Sequence, residues 1–244
     1  MDTVEISEQN GVRYLHLGND TVQSAMRLSA PNTLELTYTQ AMLGFLLFTD
    51  TPRNALLIGL GGGSLTKFMY HQFPAMQLTT VEINPKVIQA ARQFFFVPGD
   101  DERLCIVEAD ASAYIVDQKN WDCILLDGFD AGFQVEALAT SEFYGHCANA
   151  LSATGILSVN LWGSGPLFDT YLQRLIEVFD QRILFLPAEK RGNVIILGFA
   201  RQPPLQSTKE LQQRAKLLES KLGLPFVTFL QRLQHTSGNA NFFE

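Results

Sequence analysis

Apolar and polar residues alternate at the start of the chain, in TVEIS, VRYLHLG and TVQSAMRL, and the runs are broken by QNG and GND. A period of two interrupted by turn residues predicts short antiparallel hairpins. The pattern then changes. From Tyr38 to Phe48 the run YTQAMLGFLLF predicts a buried helix, which DTPRN ends. Beyond it, strand-like and helix-like stretches take turns. NALLIGL precedes a helix from about Ser64 to Phe73, QLTTVEI one opened by Pro85, and RLCIVEA one after Asp110. WDCILLD precedes a helix near Ser141 to Leu151, and GILSVNL one around Leu167 to Phe179. Strands that read as unbroken Val, Ile and Leu runs between helices predict a parallel sheet covered on both faces. RILFLP and NVIILGFA lie close enough together to form an antiparallel edge. TKELQQRAKLLESKLG then predicts an amphipathic helix with a threonine cap, and PFVTFLQRLQ a second, shorter one; both suit packing or an oligomer surface better than chemistry.

The fold class expected from this order is α/β with a small N-terminal antiparallel β unit, and the antiparallel ending makes the sheet resemble the Rossmann-like, class I AdoMet-methyltransferase type. Three regions are expected: a hairpin unit with its connecting helix over 1–50, a catalytic domain over 51–205 and a helical tail over 206–244. A chain of 244 residues, 46% hydrophobic and 18% charged, can build such a core.

Charge narrows the partners. A formal net charge of −7 and the lack of a basic stripe argue against nucleic acid, whose binders must displace counterions from phosphates. The longest apolar stretch, Ala41 to Phe48, is far too short to span a bilayer, and MDTVEISEQNG has neither a basic nor an apolar leader segment. No membrane partner and a cytoplasmic location are therefore expected. Cys105, Cys123 and Cys147 are odd in number, widely spaced and free of any CxxC, so neither a disulfide framework nor a metal site is expected. Two of them fall in strand-like runs, which suits inert core thiols.

The sharpest local signal is LLIGLGGGS, an apolar strand that ends in Gly59, Gly61 and Gly63 before a helix. Such a turn lets the backbone approach a cofactor, although a tight strand-to-helix turn needs glycine for its own sake. Glu82 follows Gly63 by nineteen positions, at the end of the next strand, where a carboxylate can accept both hydroxyls of a ribose. The two together favour a nucleoside site. GxGxG suits an AdoMet-type protein better than a dinucleotide binder, because the third glycine of GxGxxG would fall on Ser64; NAD is the second choice. Asp110 ends the third strand, where it can meet an adenine amino group, cap the following helix, or do both. Asp127 and Asp130 in WDCILLDGFD fall at the carboxyl edge of the sheet, where open α/β folds bind ligands. Two carboxylates in one cleft can hold a cation and take a proton from it; for Asp130, capping the loop is an equal alternative.

These residues resemble the spermidine synthase (polyamine aminopropyltransferase) family. GLGGGS…VEIN from Gly59 to Glu82 follows that family's Gly-rich loop and acidic strand end without gaps. DGFDAGFQVEALATSEFY follows its D-x-x-D, the glutamate six residues on and the closing aromatic pair. LELTY resembles the stretch ending in a catalytic-site tyrosine, here Tyr38, and Gln23 a glutamine that touches the cofactor.

The resemblance implies decarboxylated S-adenosylmethionine as co-substrate, with methylthioadenosine as product, a small-molecule amine as acceptor, no metal, and a homodimer. It gives Glu82 the ribose, Asp110 and the adjoining Ala111 the adenine, and Gln23 the thioether or tail region. Asp127 would take the proton of the attacking amine, Tyr38 orient that amine, and Asp130 and Glu189 bind it. Three positions depart from the pattern. Gly62 stands where the family usually has an aspartate that pairs with the aminopropyl ammonium. AGFQ replaces a Pro-rich stretch, and Glu189 replaces a frequent tyrosine. The acceptor pocket is therefore expected to be remodelled. S-adenosylmethionine-dependent methyl transfer and a non-catalytic nucleoside-binding homologue are the alternatives.

Overall fold

The structure, a computed structural model, describes residues 3–50, 52–130, 133–188, 192–203 and 207–243. Its first three strands, β1 (Val4–Gln9), β2 (Val12–Leu17) and β3 (Val22–Arg27), form an antiparallel sheet in that order. Asn10 and Gly11 both take positive φ in the first turn, as a tight hairpin requires. Leu15 and Met26 turn inward from this sheet and pack with Leu60, Val87, Phe95 and Val97 in a small core. The hairpins thereby sit against the Gly-rich loop.

The run from Tyr38 divides in two. Only α1 (Thr37–Met42) is α-helical, and Leu43–Leu47 continues as a tighter 3₁₀ turn. All five residues of that turn are buried, so tertiary packing sets its path where local helical periodicity alone would not.

Next come β4 (Asn54–Ile58), α2 (Ser64–Gln72), β5 (Gln77–Glu82), α3 (Pro85–Phe94), β6 (Leu104–Glu108), α4 (Ala111–Tyr114) and β7 (Trp121–Leu126). A short pair, β8 (Phe129–Asp130) and β9 (Phe133–Gln134), precedes α5 (Ser141–Ala150), β10 (Leu151–Trp162), α6 (Phe168–Val178), β11 (Ile183–Pro187) and β12 (Asn193–Phe199). The large sheet has the order β11-β12-β10-β7-β4-β5-β6. Strands β6, β5, β4, β7 and β10 are parallel, and β12 and β11 finish the edge antiparallel. The expected α/β sheet with its small N-terminal β unit is thus the observed one.

Burial on both faces explains why these strands carry no alternation. Leu56, Ile58, Ile124 and Leu126 face a core made with α5 and α6, while Leu57, Leu125, Ile195 and Leu197 face the opposite one. The latter is closed by α1, α2 and the C-terminal helices α7 (Thr208–Leu222) and α8 (Phe226–His235). Ser207, rather than Thr208, caps α7: its hydroxyl accepts from Glu210 N, and the Glu210 carboxylate accepts from Ser207 N. A glutamate three positions after the serine completes the capping box, which fixes the boundary one residue early. Cys105 also departs from expectation, being exposed on the edge strand β6, whereas Cys123 and Cys147 are buried. Among the described residues, no helix is long and apolar enough to cross a membrane.

One buried cation lies close to the loop. Lys67 on α2 is 1% exposed, and its Nζ donates to Met26 Sδ (3.0 Å), Pro31 O (2.8 Å) and Phe95 O (2.6 Å). Burial lowers its pKa to about 8. A lysine whose pKa is lower folded than unfolded releases its proton more readily in the native state, so stability rises with pH between the two values. From pH 8 to above 10 the unfolding free energy of the wild type should gain roughly 3 kcal/mol over that of Lys67→Met. Paired denaturant titrations measure this; a constant difference across that range rejects the lowered pKa.

Candidate active site

The strand order reverses direction between β4 and β7: β5 and β6 lie on one side of this pair, β10 and β12 on the other. Connections leave the two carboxyl ends in opposite directions and open a crevice, the usual ligand position in an open α/β sheet. Here it forms a cavity of about 650 Å³ lined from the large sheet, α1 and β3.

The Gly-rich loop makes one wall. Gly59 has φ +94°, and a Cβ there would stand 2.4 Å from the carbonyl oxygen of Asp127, so β4 and β7 approach too closely for any side chain. Gly59→Ala should cost at least about 2 kcal/mol of stability, combining positive φ with a clash against backbone. Denaturant unfolding tests this, and a variant as stable as the wild type would show that the two strand ends can separate. Gly61 lines the cavity; Gly63 does not, and serves as the left-handed residue that opens α2 against Val97.

Glu82 ends β5 in the same wall. Its Oε2 accepts from Leu60 N (3.0 Å) and its Oε1 from Asn84 N (2.9 Å), and the backbone N–H groups of Gly61 and Ile83 are also directed at it, so the loop backbone fixes the carboxylate. Burial raises its pKa and these backbone N–H groups oppose the rise. Asp110 and Ala111 line the cavity beyond it. Asp110 is the N-cap of α4, its Oδ1 accepting from Ser112 N (2.8 Å) and Ser112 Oγ (2.7 Å). That leaves its other oxygen for a ligand. Gln23 lines the opposite rim from β3.

Gly62 lies just beneath. Its N–H donates to Ser24 Oγ (2.8 Å), and a Cβ on it would come within 2.9 Å of both the Phe95 ring and Ser24 Cβ. The place that an aspartate side chain would need is occupied.

Across the cavity stands Asp127, directly after β7. Tyr38 Oη donates to its Oδ2 (3.1 Å) and Asn160 Nδ2 to its Oδ1 (2.8 Å). Burial pushes the carboxyl pKa up and the two donors draw it back; Tyr38 is raised well above its ordinary value by burial and by the adjacent carboxylate. Tyr38 therefore stays a hydrogen-bond donor at neutral pH. Leu138, Trp162 and Asn193 complete this half of the cavity.

The cavity thus unites Gln23, Tyr38, Gly59, Gly61, Glu82, Asp110, Ala111 and Asp127. Asp130 lies on β8, three residues beyond Asp127, and its side chain is not among those described. Glu189 lies outside the described residues. Sequence reasoning missed Asn160, Asn193 and Ser24. For Asn160 a signal existed: a lone amide near the carboxyl end of the apolar run GILSVNL, on the edge where ligands bind.

Residues 35–182 match the model of the spermine/spermidine synthase domain. The polyamine aminopropyltransferase of Chromobacterium violaceum is 42% identical over 97% of this chain and 91% of its own. Among solved structures, a probable spermidine synthase from Corynebacterium glutamicum superposes with a TM-score of 0.74 at 18% identity, covering 96% of this chain and 92% of its own. Human methyltransferase-like protein 13, in complex with SAH, gives 0.69 at 26% identity over 77% of this chain and 93% of its own. The first of these solved structures bears on the fold alone. With more than half its length on the domain model and a near full-length relative at 42% identity, the chain belongs to the spermine/spermidine synthase family.

Proposed function

We propose that this chain is a transferase that moves the aminopropyl group of decarboxylated S-adenosylmethionine to a di- or polyamine. The observation that carries the reading is the placement of Asp127, held by Tyr38 and Asn160, across one cavity from a carboxylate fixed by the Gly-rich loop. In this reading Glu82 accepts the ribose hydroxyls, Asp110 and Ala111 face the adenine, and Gln23 lies along the tail. Gly59 and Gly61 let the backbone come close, and Gly63 turns the chain into α2. Asp130 and Glu189 hold the acceptor amine. The enzyme works as a cytoplasmic homodimer, divided over 1–50, 51–205 and 206–244, and needs no metal.

The chemistry follows from these positions. The amine nitrogen attacks the carbon beside the sulfonium, a C–N bond forms, the C–S bond breaks, and methylthioadenosine leaves. An amine is mostly protonated at neutral pH and must first lose a proton to attack; its nitrogen becomes far more acidic as the new bond forms. Asp127 takes that first proton, which frees the lone pair that forms the C–N bond, and the product leaves as a secondary ammonium. The Asp127 carboxylate is weakly basic, yet it lies next to two cationic centres when both substrates are bound, which keeps it ionised until then.

Methyl transfer from S-adenosylmethionine is the second reading, favoured by the filled space at Gly62, which leaves no carboxylate there to repel that of the methionine tail. Mass-spectrometric product analysis with each donor and a panel of amines separates the two. Methylthioadenosine with an aminopropylated amine is the expected result; adenosylhomocysteine would establish the second reading, and neither product would reject both.

A further inference from the structure

Behind the pair of Tyr38 and Asp127 stands a second layer of polar groups. Asn160, near the end of β10, is 1% exposed, and the amide that donates to Asp127 through Nδ2 accepts at Oδ1 from Asn193 Nδ2 (2.8 Å). Asn193 opens the antiparallel neighbour β12, paired with Trp162, and its side chain also faces the cavity. The three side chains form a line in which each donor points towards the carboxylate.

A buried amide has two ends of opposite preference. Its N–H end stabilises a carboxylate, and its carbonyl end stabilises the protonated acid, which can donate to it. Asn160 alone could present either. With its carbonyl already receiving the Asn193 donor, it presents N–H.

We propose that Asn193 is a positioning residue: it holds Asn160 with its donor end on Asp127 and so keeps that carboxylate ready to receive a proton. The proposal rests on the assignment of Asp127 as the proton acceptor. Among the described residues, titratable neighbours of Asp127 in the cavity are Tyr38 from α1, Glu82 at the end of β5 and Asp110 after β6; β10 offers it the Asn160 amide, which Asn193 of β12 backs. Reversal of the line requires both amides to turn and Asp127 to carry a proton. Loss of the Asn193 donor removes the bias against that state.

The test reads Asp127 directly, by ¹³C NMR titration of the aspartate carboxyl carbons of the full chain, with its signal assigned from Asp127→Asn. In Asn193→Leu, which adds no charge, the midpoint should rise by about one pH unit, the size expected for one charge-assisted hydrogen bond. Asn193→Asp, which offers only acceptors, should raise it further. Asn193→Gln, which keeps an amide donor, should restore it towards the wild-type value. A merely structural residue would lower the melting temperature without ordering the midpoints in this way. An unmoved midpoint in a cooperatively folded Asn193→Leu overturns the proposal; if that variant fails to fold, Asn193→Ala, which also lacks a donor, is read by the same criterion in its place. Because the titration needs no turnover, a shifted midpoint in a protein that transfers nothing would reject the enzymatic reading and leave the positioning role intact.

Discussion

Asp127→Asn lowers kcat by about two to four orders of magnitude, the range expected for loss of a positioned proton acceptor, while methylthioadenosine binds as it does to the wild type. The substitution is close to isosteric. The new amide can accept from Asn160 Nδ2 through its oxygen and donate to Tyr38 Oη through its nitrogen, so both neighbours keep a partner. What is lost is the capacity to take a proton.

Stability should move the other way. Burial raises the folded-state pKa of Asp127, so the native state binds a proton that the unfolded chain has released. Stability therefore falls as pH climbs from the ordinary aspartate value through the raised one, and the deficit persists above it. Asn carries no such penalty, and at neutral pH the variant should melt no lower than the wild type. Steady-state kinetics and calorimetry of one preparation decide the matter. Near wild-type kcat would remove Asp127 from the chemistry, and loss of both activity and folding would make it structural.

The other large effect is on nucleoside binding. Glu82→Ala should weaken methylthioadenosine by about 2 kcal/mol or more, because two hydroxyls lose a charged acceptor. Alanine also strips the partner from Leu60 N and Asn84 N, so the loop itself loosens. Glu82→Gln separates these contributions. Its carbonyl can serve one N–H, but its amide nitrogen must face the other, and it presents a neutral acceptor to the ribose. Calorimetry should therefore place Gln between wild type and Ala. Equal affinity in all three proteins would rule out the ribose assignment.

The parts of this site that could be read in the sequence are those in which backbone geometry constrains residue type. Gly59 is dictated by the approach of β7, and Glu82 by its place at the end of a strand doubly buried between neighbours. The strands were legible because residues with both faces buried must be apolar throughout. Asn193 gave no such sign. It stands at the first position of β12, where a polar residue is ordinary, and its significance depends on Asn160, which is distant in sequence and opposite in strand direction. Ser24 was hidden for a similar reason: its place in an alternating hairpin explains its polarity without reference to the loop it meets. The division of Tyr38 to Phe48 into helix and 3₁₀ turn reflects packing beneath α7 and α8, whose contribution no local pattern contains.

The crowding at Gly62 imposes an order on mutational history. An acid cannot be introduced there in one step, since its first carbon would press on Ser24 and on the wholly buried ring of Phe95. Removing the ring first, as Phe95→Ala, opens a core void at a cost of about 3–5 kcal/mol. Either single change alone is penalised, and even the pair leaves the new side chain against Ser24 Cβ. The glycine is therefore held in place by its neighbours: with serine and phenylalanine closed over the position, an acid can enter only through a less stable intermediate or by simultaneous exchange of those neighbours.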